Sequence, residues 1–377
     1  MKISLTNHTA YTKLGGLEAL RGFAAIYVLI HHARWFLWAG YTNGYLKQPG
    51  SFNLFNKALV YFFSLFIYGH EAVIFFFVLS GFAIHLKYSI SIKQNGNEFS
   101  LKNYLIRRSK RIYPPLIFAL IFTYLVDSLG KSFDFPIYGN QTPFPTVKDN
   151  FSFITLIGNL IFLTNTYVES WGSNFALWSL KFEWWFYMFY PIFLYLTKKS
   201  FLFAFILMTG LYILSFQAWI WQNQLLREIF SYMIIWWFGV ILADLYTGRL
   251  NMNLKFFIPL VLIIPTLVFF GSKLEQQLRD TLWGIGFFAF LALFLHLIKH
   301  NLLPTFVNKL SFLGSFSYTL YIIHSPILVF MSGYLLKENH SLPLTFGYVF
   351  LGIVLSVAIA WVIHLIVEKP ITFRKIS

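Results

Sequence analysis

The sequence predicts an all-α polytopic membrane protein with about ten transmembrane helices, one re-entrant or interfacial segment and both termini in the cytoplasm. Three observations carry this. The chain has 377 residues of which 58% are hydrophobic, only 11% are charged, and long apolar runs alternate with short basic stretches. Soluble domains carry roughly 25% charged residues. A soluble fold could not hide 46 Phe and 12 Trp at a mean hydropathy of +0.64, so the solvent is largely lipid.

Crossing the hydrocarbon core takes about 17–25 apolar residues. Runs of that kind start near Leu17, His70, Ile112, Leu177, Phe201, Ile229, Phe256, Thr281, Phe312 and Phe346. An eleventh, Phe151 to Tyr167, is interrupted by Gly158, Asn159 and Asn165. Charge decides its place. If it does not cross, Lys93 to Arg111, Lys198 and Lys199, Arg249 and Lys255, Lys299 and Lys309, and Lys369 to Lys375 all share one side with Lys2 and Lys13. That side is the cytoplasm. If it crosses, every later basic cluster faces outward, so a re-entrant or interfacial segment is the better reading. Irregular backbone at that depth needs protein cover or a cavity.

The same patterning explains the formal net charge of +15 as a topogenic bias, which argues against a nucleic-acid partner. The chain has no cysteine, which excludes thiol catalysis, disulfides and cysteine-based metal sites. Met1 to Gly16 reads as a short polar lead-in to an uncleaved first helix. Lys131 to Asp149 reads as the longest external loop, with Leu59 to Tyr68 as an aromatic approach to the second helix. A single membrane domain, 1–377, is expected, with no appended soluble domain.

Polar residues inside apolar runs are the candidates for function, because lipid makes them costly. In the first run Arg21 and His32 are eleven positions apart. That is three turns plus about 20°, so they share a face about 16 Å apart along the axis. His31 points away. The bland alternative is an arginine that snorkels and a histidine satisfied within the bundle. Arg108 and Arg111, in Arg-Arg-Ser-Lys-Arg-Ile-Tyr-Pro-Pro, are neighbours on a helical surface. They could anchor the cytoplasmic side or grip phosphate oxygens through their forked guanidinium groups, with Arg21 joining them.

Three further runs hold candidates. Ser80, before Gly81, reads as a close-packing position rather than a nucleophile. Glu183 lies about one turn inside the run from Leu177 and needs a partner, Lys181 or another helix, or a role orienting a histidine or an acceptor hydroxyl. His324 precedes a helix-kinking proline, Pro326. His70 and Glu71 open the second run at the outer side. No spacing here resembles a histidine-rich metal site, so no metal is expected.

Six motifs in order resemble acyltransferase family 3. They are Leu-Arg-Gly with Arg21 and His32; Phe-Phe-Val-Leu-Ser-Gly-Phe ending at Phe82; Arg-x-x-Arg-Ile-Tyr-Pro from Arg108; Trp-Ser-Leu-x-x-Glu ending at Glu183; Ser-Tyr-x-Leu-Tyr-x-x-His-x-Pro from Ser317; and Val-Glu-Lys-Pro from Val367. The resemblance implies a multi-pass protein of the inner (plasma) membrane. It also implies a cytoplasmic acyl-CoA donor, usually acetyl-CoA, and transfer to a hydroxyl of a surface polysaccharide, lipopolysaccharide, peptidoglycan or smaller glycoside. Many members carry an acidic residue where this chain has Ile74, with Glu71 one turn earlier. Some relatives append an extracytoplasmic esterase-like domain, so this chain either reaches its carbohydrate or glycolipid acceptor itself or hands off to a separate partner.

The expected mechanism places coenzyme A phosphates on Arg108, Arg111 and Arg21, with His32 as general base or transient acyl carrier. Glu183 and His324 are second candidates for orienting His32 or the acceptor. The rival reading is a lipid or glycan transporter or flippase in which the same polar residues form a pathway. Against it, no paired interrupted helices recur in two repeated halves. The outer aromatic residues Trp35, Trp38, Tyr41, Trp171, Trp178 and Trp184 could stack on sugars but equally serve as interface anchors.

Overall fold

The computed structural model describes residues 14–94, 96, 99–139, 147, 150–220 and 222–372. Most of the expected lead-in, about half of the Lys131–Asp149 loop, and Arg374 and Lys375 lie outside that set. The described residues are helical, joined by turns, with a lone bridge between Thr164 and Val168.

The helices are α1 (Gly15–Phe36), α2 (Leu54–Ser64), α3 (Gly69–Lys93), α4 (Leu101–Ser132), α5 (Phe153–Leu160), α6 (Leu177–Lys199), α7 (Phe201–Ser215) and α8 (Gln224–Thr247). Two short pieces, α9 (Phe257–Val261) and α10 (Ile263–Phe270), precede α11 (Gln276–Lys299), α12 (Ser317–Asn339) and α13 (Gly347–Ile363), with further single turns of helix at Thr305–Lys309, Phe312–Ser315 and Lys369–Thr372. Local chemistry sets several boundaries. Ser200 caps α7 and, just after Lys198 and Lys199, separates it from α6. Asn53, Ser152, Asn223 and Glu275 cap α2, α5, α8 and α11 in the same way. Gly248, at a φ of 74°, ends α8 in the left-handed conformation.

Among the described residues six helices are long and apolar enough to cross a membrane: α3, α4, α8, α11, α12, and α13 with its extension to Glu368. They make the chain a multi-pass membrane protein. α1 and α6, of 22 and 23 residues, match them in length but carry charges such as Arg21 and Glu183. α7 is shorter, and the run near Phe256 is broken at Leu262 between Pro259 and Pro265. Phe151 to Tyr167 folds as the eight-residue α5 followed by turns. At 1.5 Å per residue α5 covers about 12 Å, too little to cross a core of about 30 Å. α4 starts eleven residues before Ile112, so the basic cluster is helical and not a loop.

The packing divides the chain into two compact units of interleaved segments. One holds Met1–Ala24, Glu71–Leu105 and Phe182–Gly314; the other holds Ala25–His70, Ile106–Lys181 and Ser315–Ser377. In the first, α3 and α8 cross with Gly81 and Gly239 at the contact. A Cβ at either would run into a backbone carbonyl oxygen of the opposite helix, Trp236 or Val78. This is the close-packing role expected next to Ser80. In the second, α12 is the most enclosed of the long helices, 78% buried over its apolar window, while Gly347–Glu368 is 33% buried.

Candidate active site

In the second unit the structure joins two of the residues singled out from sequence. His32, near the end of α1, places Nδ1 2.8 Å from Nε2 of His324 on α12. The two rings stack nearly parallel, centroids 5.0 Å apart at 18°. His324 is buried and its Nδ1 lies 3.2 Å from the Leu320 carbonyl oxygen, whereas His32 keeps part of its surface open. His31 faces elsewhere, hydrogen-bonded to the Phe66 carbonyl at 2.9 Å.

The helix under His324 is held by a loop. Pro326 has no N–H, which frees the carbonyl of Ile322 one turn before it. Asn174 fills the vacancy, its Nδ2 donating to Ile322 at 2.8 Å and to Thr123 of α4 at 3.1 Å. Next to it, Ser325 donates to the Ser173 carbonyl at 2.6 Å. Ser173 is fixed by Asp127 of α4, whose carboxylate accepts from its backbone N–H at 2.8 Å and its hydroxyl at 2.6 Å. Gly172 makes this approach possible. Its φ is 52°, and a Cβ there would strike the Asp127 carboxylate. Ser179 and Tyr321 add a hydroxyl pair at 2.7 Å. Arg108 and Arg111, also in this unit, sit half-buried and three apart on α4.

The first unit holds the other two candidates. Glu183 accepts from Ser80 Oγ at 3.2 Å and from the Tyr187 hydroxyl; Ser80 Oγ in turn accepts from Trp236 Nε1 at 3.3 Å. Lys181, which belongs to the second unit, donates to Thr166 at 2.7 Å. Arg21 is engaged by Glu18 at 2.9 Å and by the Gly314 carbonyl at 2.5 Å. In the second unit His70 stacks on Trp178 with centroids 5.4 Å apart. Buried Asp244 collects His85 at 3.0 Å, Ser89 at 2.6 Å and Arg249 at 2.7 Å, and Tyr190 bonds the other His85 nitrogen at 2.8 Å. A cavity of about 410 Å³ lies beyond α8, lined by Tyr246, Asn251, Asn253, His296 and Lys299 among others, and none of the six residues expected to act lines it.

Asp127, Ser173, Asn174 and the Asp244 cluster were not anticipated. A signal existed for both acids: each is a lone carboxylate inside an apolar run, the feature that singled out Glu183. Ser173 and Asn174 carry no such signal. Among the described residues no three His, Asp or Glu side chains come together as a metal site.

Fold and site define a multi-pass membrane protein with a hydrogen-bonded histidine pair on two helices. The chain belongs to acyltransferase family 3, whose acyltransferase domain matches residues 14–365. It is similar to YrhL of Bacillus subtilis (strain 168), a provisionally named peptidoglycan O-acetyltransferase, at 24% identity over an alignment of 427 residues. The match takes in 99% of this chain and 57% of YrhL, so the chain spans little more than half of that relative's length. No solved structure matches the chain significantly.

Proposed function

We propose that this protein is a membrane O-acyltransferase that moves an acyl group, acetyl in the first instance, from cytoplasmic acyl-CoA to a hydroxyl of a surface carbohydrate. Lipopolysaccharide O-antigen or another cell-envelope glycan, peptidoglycan included, is the acceptor class. Family membership supports the transfer chemistry, and the relative in Bacillus supports a glycan acceptor. The observation that carries the reading is the contact between His32 and His324. A part-open imidazole backed by a buried hydrogen-bond partner suits general-base proton transfer.

In this reading His32 takes the proton of the acceptor hydroxyl as its oxygen attacks the thioester carbonyl, or carries the acyl group in transit. The sulfur leaves and is reprotonated as coenzyme A. Arg108 and Arg111 hold the donor's phosphates as bidentate forks. Arg21 would join them only by exchanging its present partners, Glu18 and Gly314. Glu183, already tied to Ser80 and Tyr187, is proposed to act on the acceptor side.

The test is acyl transfer by purified protein in lipid nanodiscs, with acetyl-CoA and a glycan acceptor. His32→Ala is expected to lose at least about 100-fold in kcat. Arg108→Ala with Arg111→Ala is expected to raise the KM for acetyl-CoA, and Glu183→Gln that for the acceptor. Wild-type turnover by a correctly inserted His32→Ala protein sinks the reading. Glycan movement without consumption of acetyl-CoA would point to a transporter.

A further inference from the structure

A carbonyl oxygen can only accept a hydrogen bond. Nδ1 of His324 lies 3.2 Å from the carbonyl of Leu320, one turn back on α12, so Nδ1 carries a proton. In a neutral imidazole the other nitrogen then holds a lone pair. That nitrogen, Nε2, faces His32 Nδ1 at 2.8 Å. The bond between them needs one proton, and His32 must supply it. His32 Nε2 is therefore left with its lone pair exposed.

We propose that His324 is a positioning residue, which selects the Nδ1–H tautomer of His32 and so makes Nε2 the nitrogen that meets substrate. The inference rests on the reading of His32 as the reacting histidine. The acceptor's O–H proton passes to His32 Nε2 as its oxygen bonds to the thioester carbon. The carbon–sulfur bond breaks, and Nε2 returns the proton to sulfur. Without a fixed acceptor at Nδ1, the imidazole is free to place its hydrogen on Nε2, where it cannot act as a base.

The surroundings of His324 fit a locating role. Tyr321, Ile322 and Ser325, the residues flanking it on α12, are each tied to a side chain or backbone group of the 173–179 segment, at 2.7, 2.8 and 2.6 Å. His324 itself is 1% exposed, so it does not meet a substrate directly. It acts through His32.

The experiment uses the full-length protein in lipid bilayers, with isotope-labelled histidine nitrogens observed by solid-state NMR at mildly alkaline pH. Its ten histidines are sorted by difference against His32→Ala. The expected result is His32 protonated on Nδ1 and bare on Nε2. His324→Gln, whose side-chain carbonyl can accept the same proton, should keep that tautomer and lose no more than about tenfold in turnover. His324→Ala should let His32 shift to the Nε2–H form and lose about 100-fold in kcat, with the KM for acetyl-CoA unchanged. Two results overturn the proposal: wild-type His32 protonated on Nε2, or His324→Ala at wild-type turnover. An active His32→Ala protein overturns the reaction instead, whatever tautomer the spectra show.

Discussion

Asp127 shows what one side chain does here. Its carboxylate accepts twice from Ser173, and Ser173 in turn accepts from Ser325 on the helix that carries His324. Asp127→Ala leaves a buried N–H and hydroxyl without their acceptor, at about 1–3 kcal/mol for each group. A fall in the thermal midpoint in detergent, with a fall in acyl transfer, is the expected outcome. Asp127→Asn should be milder, because its Oδ1 can take the N–H while its Nδ2 donates to the hydroxyl oxygen. An Asn variant as unstable as Ala would show that charge, and not hydrogen-bond count, holds the loop. At this scale the sequence was partly legible. His32, His324 and Glu183 stood out as polar groups in apolar runs, and Asp127 obeys the same rule. Ser173 and Asn174 could not be read, because a short polar residue in a loop means nothing until the backbone it faces is known.

At the scale of elements, a device recurs in both units. Each of two helices carries an interior proline, and in each the carbonyl so freed is capped by a side chain from elsewhere in the chain. Pro326 of α12 frees Ile322, which takes Asn174; Pro191 of α6 frees Tyr187, which takes the Tyr104 hydroxyl at 3.0 Å. Substituting the proline restores the backbone donor, so loss of the cap should then cost little. Tyr104→Phe alone is expected to lower stability by about 1 kcal/mol, and much less in a Pro191→Ala background. The coupling is measured by a double-mutant cycle of unfolding in detergent; additive losses would mean that Tyr104 acts through packing alone. The prolines could be seen in the sequence but their partners could not. Helix boundaries were clearer, since apolar runs from Leu177, Phe201 and Phe346 begin within a residue of α6, α7 and α13. The main boundary error, α4, has a physical source: charged residues end an apolar run without ending a helix, and Arg107 to Arg111 are good helix formers.

For the whole molecule, lipid as the solvent and helix as the element follow from composition, because a spanning backbone must satisfy its own hydrogen bonds. The interleaving of segments into two units is a matter of packing, which hydropathy does not encode. Six helices qualify as spans by length and apolarity, while the charge bias favours ten crossings with both termini cytoplasmic. The two counts differ at definite places. With ten, α7 crosses, so Ser200 and Gln217 lie on opposite sides; with six they share one. With ten, Asn251 and Asn301 both face the cytoplasm; with six they are separated by α11 alone. The chain has no cysteine, so single substitutions can be labelled without background. Gln217→Cys, with exposed Ser51→Cys and Ser341→Cys, is expected to react with an impermeant maleimide on intact cells. Ser200→Cys, Asn251→Cys and Asn301→Cys should react only after permeabilisation. Labelling of Ser200→Cys from outside would remove two crossings at least, and would place Lys198 and Lys199 on the side opposite Arg108 and Arg111, against the charge bias that favours ten.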